Sequence, residues 1–141
     1  MLSGISKEKG VDLVMTFDDS VNNEKFKEFV SQLREKFPSD RICLYMDLLA
    51  VHRSYVVRSH LDQLNIPYVF NPPYSPDFNG IESVFWIVKN KLKRFRLKAL
   101  VNGDKIDLRE KVVDIFKEID KDKIINCIDY SLNKLFNQKI Q

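Results

Sequence analysis

Three prolines, Pro72, Pro73 and Pro76, crowd into the segment NPPYSPDFN, residues 71–79, and constrain this chain more than any other feature. Proline fixes φ and removes a backbone donor, so this stretch is a stiff connection and neither helix nor strand. It lies between two acids. Asp47 ends the apolar run RICLYMD, and Glu82 opens the amphipathic run ESVFWIVKNKLKR, with 34 residues between them. Two carboxylates brought together at the end of a sheet can hold divalent metal ions. Such ions cut and join phosphodiester bonds.

Periodicity places these acids on regular elements. Residues 1–9 and 11–17 read as two strands with Gly10 at the turn. Residues 22–37 read as a helix with Asn22 or Asn23 as cap and Phe26, Phe29, Val30, Leu33 and Phe37 at helical spacing. Residues 41–47 alternate as a strand, Ile42, Leu44 and Met46 on one face and Cys43, Tyr45 and Asp47 on the other. Ser54 caps a helix to about Leu64, and residues 66–70 form a further strand. The helix from Glu82 to about Leu97 carries Ile81, Phe85, Val88, Leu92 and Phe95 inward, and Phe85 and Trp86 are expected in the core rather than as platforms for stacking bases. Asp107 and Glu110 resemble a capping box for a helix through Ile119. A last helix from Asp122 is expected to bury Ile125, Ile128, Leu132 and Leu135. This order gives one α/β domain, residues 1–141, with a helical C-terminal extension.

Each candidate residue has an ordinary reading too. Asp47 alone would be a loop or cap aspartate, and Glu82 suits the positive end of a helix. The pair and the stiff loop between them favour a metal site of oxygen ligands, suited to Mg²⁺ or Mn²⁺. His52 and Arg53 follow the strand end, either packed on the next helix or touching a phosphate. Lys89, Lys93, Arg94 and Arg96 belong to a basic run that is either a solvated face or a groove for a nucleic-acid backbone.

Composition excludes little. A net charge of +3 is too small to argue for nucleic acid by itself, so the clustering of cations has to carry that reading. No apolar stretch is long enough for a membrane span. Cys43 and Cys127 have no metal-ligand spacing and are expected to be buried free thiols, which favours a reducing intracellular compartment.

Asp47, Ala50, His52-Arg53-Ser54, the loop Pro72-Pro73-Tyr74-Ser75-Pro76-Asp77 and Asn79-Gly80-Ile81-Glu82 together resemble mariner-type transposases and their bacterial insertion-sequence relatives. These belong to the DDE transposase and integrase superfamily. The resemblance implies a ribonuclease-H-like fold, a mixed sheet flanked by helices. It also implies DNA as partner, Mg²⁺ or Mn²⁺ as cofactor, and Asp47 and Glu82 as the second and third members of a catalytic, metal-binding triad. A transposase would be nuclear or DNA-associated. Two departures stand beside the match. The family's first strand, with its first Asp, lies upstream of the hairpin and is absent here, and neither Asp12 nor Asp18 nor Asp19 replaces it well. Leu48 stands where the family has Asn. The 41–47 strand is therefore expected to lack a partner on one edge. The chain would be a fragment, a split-gene product completed by a second chain, or a domesticated scaffold that no longer cuts DNA.

Overall fold

Alternating apolar residues near the start of the chain fold into a hairpin. The computed structural model describes residues 1–137. In it, β1 (Leu2–Ser6) pairs antiparallel with β2 (Gly10–Met15), from Leu2 opposite Met15 to Ser6 opposite Gly10. Gly10 turns the chain at φ +81°, where a side chain would be strained. The register slips between Gly4 and Ile5, which leaves Asp12 as an extra residue. This bulge flips the side chains beyond it to the opposite face. Leu13 and Met15 consequently pack on one core, and Val11 joins Val14 on the other.

The first core lies under α1 (Asn23–Lys36), whose cap Asn22 accepts a hydrogen bond from the Lys25 amide at 3.0 Å. Phe26, Phe29 and Val30 pack with Met46, Val57, Leu61 and Ile66. Side chains buried this well contribute about 1.5–3 kcal/mol each. Met46 comes from β3 (Leu44–Met46), which pairs parallel with β4 (Tyr68–Phe70). A short helix, α2 (Ala50–Arg53), which periodicity does not reveal, precedes α3 (Tyr55–Gln63). Ser54 caps α3, as expected, by accepting from the Val57 amide at 3.3 Å.

The second core gathers Val84, Val88, Ile115, Phe116, Ile119 and Ile124. These come from α4 (Gly80–Asn102), α5 (Leu108–Lys117), the turn after α5, and α6 (Lys121–Asn137). α4 runs past Leu97 until Gly103 closes it at φ +73°. The Asp107 carboxylate caps α5, accepting from the Arg109 amide at 2.9 Å and the Glu110 amide at 3.4 Å. On α6 the fully buried residues are Ile124 and Ser131, while Ile125, Ile128, Leu132 and Leu135 are half-buried. The helix is held between α4 and the hairpin, so it half-buries a wide face instead of one narrow line.

Among the described residues four strands form two separate pairs, β1–β2 and β3–β4. Among the described residues β3 is laddered only to β4, so one of its edges is open, as expected. Lys9 in the hairpin turn approaches Asp40 at 3.8 Å, just ahead of β3. The hairpin turn after β1 therefore lies near the segment that leads into β3. Cys43 is exposed and not buried, because it precedes the short β3 ladder and faces the gap between the pairs. Cys127 is half-buried, and burial raises its thiol pKa. Both thiols are free. Among the described residues no helix is long and apolar enough to cross a membrane.

Candidate functional site

The open edges of β1 and β3 line one cavity of about 1020 Å³. Phe26, Phe29 and Leu33 of α1 wall it on one side, and Phe85 of α4 with Ile128 and Leu132 of α6 on another. The cavity thus occupies the sheet layer, with helices above and below. Ser3 of β1 has its hydroxyl buried without a hydrogen-bond partner.

Asp47 and Glu82 both line this cavity. Asp47 follows β3 directly, and its carboxylate Oδ1 lies 2.7 Å from His52 Nδ1. His52 Nδ1 is also 3.1 Å from the Asp47 carbonyl oxygen, and its ring packs on Phe26 with centroids 4.6 Å apart. With its side chain 12% exposed, His52 is turned inward to hold Asp47, whereas Arg53 is exposed. Leu48 brings no polar group to this corner.

Glu82 is set by the proline loop. The Asn71 amide donates to the Met46 carbonyl at 2.6 Å, and the Tyr45 hydroxyl donates to Asn71 Oδ1 at 2.5 Å. Asn71 Nδ2 then donates to the Ser75 carbonyl at 2.6 Å. One buried side chain therefore ties the loop to the strand that carries Asp47. A 3₁₀ turn, Pro76–Phe78, follows and buries Phe78. Asn79 then caps α4, accepting from the Ile81 amide at 3.3 Å, and Glu82 projects from the first turn, exposed. Sequence reasoning did not single out Asn71 or Tyr45. The one available signal was an Asn between a strand and the first proline.

Other acids reach the same space only in part. Asp12, the bulge residue, lines the cavity, and its carboxylate accepts from the Ser6 hydroxyl at 2.8 Å. Burial lifts its pKa above the ordinary carboxylate value, with the Ser6 bond and nearby lysines opposing. Asp18 pairs with Arg109 and Asp19 with Lys25, away from the cavity. Among the described residues no three His, Cys, Asp or Glu side chains converge into a metal cage. Asp47 and Glu82 are hard oxygen donors of the kind that hold Mg²⁺ or Mn²⁺ when waters complete the shell.

Lys89, Lys93, Arg94 and Arg96 are all exposed on α4. Trp86, expected in the core, is 67% exposed. Phe85 took the inward position, where it meets Phe116 edge-on at 6.3 Å. Trp86 instead lines a second cleft of about 470 Å³, together with Glu82, Ser83 and Tyr130.

Comparison with known proteins agrees with this geometry. The profile of the DDE superfamily endonuclease family matches residues 1–100. Among solved structures the chain is similar to the Mos1 transposase catalytic domain, determined with raltegravir and manganese. The TM-score is 0.62 at 15% identity, over 90% of this chain and 67% of that one. No curated protein matches the chain. The split sheet, the helices on both sides of it and the family match lead to one assignment: the chain belongs to the DDE superfamily endonuclease family and has the ribonuclease-H-like fold of a mariner-type transposase catalytic domain.

Proposed function

We propose that this chain forms most of a metal-dependent DNA cleavage and strand-transfer site, with Asp47 and Glu82 as two of its carboxylates. A further polypeptide segment completes it, lying between β1 and β3 and bringing a third acid. The supporting observation is that both acids line the same cavity that separates the two open strand edges. Mg²⁺ or Mn²⁺ held there would activate a water or 3′-hydroxyl and stabilise the leaving oxygen. The chain's own residues do the positioning. His52 holds Asp47 through its Oδ1 oxygen. Asn71 and the proline loop fix the entry of α4 and so the place of Glu82. Lys89, Lys93, Arg94 and Arg96 grip the DNA backbone, with Arg53 near the strand end.

The second reading is a scaffold that keeps the fold without the chemistry. Leu48 after Asp47, and the engagement of Asp47 Oδ1 by His52, favour it. In that case a partner chain covers the β3 edge without supplying an acid. Calorimetric titration with Mn²⁺ separates the two readings. The nuclease reading expects binding by the parent chain that Asp47→Ala abolishes. Equal titration curves for parent and variant, or no heat in either, would leave the scaffold.

A further inference from the structure

We propose that one face of α4 is a track for single-stranded nucleic acid, on which Trp86 stacks an unpaired base beside the reacting phosphate. The place of that phosphate, at Glu82, rests on the function proposed above. Glu82, Trp86, Lys89, Lys93 and Arg96 follow one another at steps of four, three, four and three residues, and all five are exposed. On a helix these steps make a single stripe. With about 1.5 Å of rise per residue, Trp86 lies about 6 Å along the axis from Glu82, and Arg96 about 21 Å. The acid marks one end of the stripe, an aromatic ring comes next, and cations fill the rest.

The ring has a built setting. Trp86 and Tyr130, the latter 59% exposed on α6, line one cleft whose wall also includes Pro76 and Ile87. Asp77 on that wall is neutralised by Lys134, whose amino group lies 3.0 Å from Asp77 Oδ2 and 4.9 Å over the Tyr130 ring. Lys123 adds a cation at the lip. A protein partner is the weaker fit, because protein interfaces are depleted in lysine around their aromatic anchors. Aromatic rings interleaved with lysine and arginine suit a flexible strand, whose bases offer π-faces and whose phosphates release counterions. Leu97 and Leu100, exposed at the end of the same face, make a second copy of the chain the competing occupant.

Trp86 is the only tryptophan in the chain, so its fluorescence reports on this site alone. The test titrates the whole chain, without divalent metal, with a short oligothymidylate and with an abasic oligonucleotide of equal length. Binding is followed separately by anisotropy of a labelled strand. The expected result is that both bind and only oligothymidylate quenches the emission. Trp86→Ala should weaken oligothymidylate binding by about 5- to 150-fold, the range carried by a base–aromatic stack, and leave the abasic strand unaffected. Trp86→Phe should restore most of the loss. Binding with unchanged emission, equal quenching by the abasic strand, or no binding would overturn the proposal. So would an emission change that tracks protein concentration without DNA, which would assign the face to a second copy. If emission stays unquenched while Mn²⁺ still binds through Asp47, only this inference fails. If quenching occurs without Mn²⁺ binding, only the nuclease reading fails.

Discussion

Gly80 shows how tightly single residues are held around Glu82. A Cβ built there would lie 2.8 Å from the Ile128 Cα and 3.0 Å from the Cys127 carbonyl oxygen, both backbone atoms of α6. Neither can rotate away, so Gly80→Ala should destabilise the fold by about 1–3 kcal/mol, seen as a lower Tm by calorimetry. It should also shift the start of α4. Asp47 and Glu82 were legible as candidates because the acids and prolines have chemical reasons to stand together. Trp86 was not. Phe85 and Trp86 are neighbours in an apolar run, and periodicity alone does not say which ring finds a partner. Phe116, from a helix more than a dozen residues away, decides it. Cys43 was misread for a related reason: alternation assigned it a strand face, but the ladder begins only at Leu44.

At the scale of elements, the hairpin depends on its bulge, and the bulge residue carries a charge into a half-buried place. The raised pKa of Asp12 means that the folded state holds this proton more tightly than the unfolded chain. The stabilisation from the protonated form is fully present below the unfolded pKa and is lost as pH rises through the folded one. Asp12→Asn cannot ionise and keeps an oxygen for the Ser6 hydroxyl. It should therefore melt above the parent at neutral pH, and the gap should close below about pH 4. Melting curves across the acid range measure this. Helix ends were readable because Asn22, Ser54 and Asp107 are caps with a chemical signature. The bulge was not, since it depends on which residue opposes which across the hairpin. The short α2 has no side-chain cap to announce it.

For the molecule as a whole, the two strand pairs are held in one layer by the helices that flank them and not by a continuous ladder. Amides of β1 and β3 that point away from β2 and β4 should exchange as fast as loop amides, while the laddered amides exchange slowly. Hydrogen exchange read by NMR checks this, and slow exchange on both sides would mean that the gap is closed. The order of elements and the open edge of β3 could be anticipated from sequence. The width of the gap could not, because it reflects where the hairpin settles between two cores that share no sequence pattern.

The Asn71 side chain has a final consequence. By bonding strand and loop at once, it braces residues 47–82, whose ends are the two acids. Among the described residues the hairpin has no such brace to β3. Anything that enters between them meets a braced backbone on the side that carries the acids, and any yielding has to come from the other.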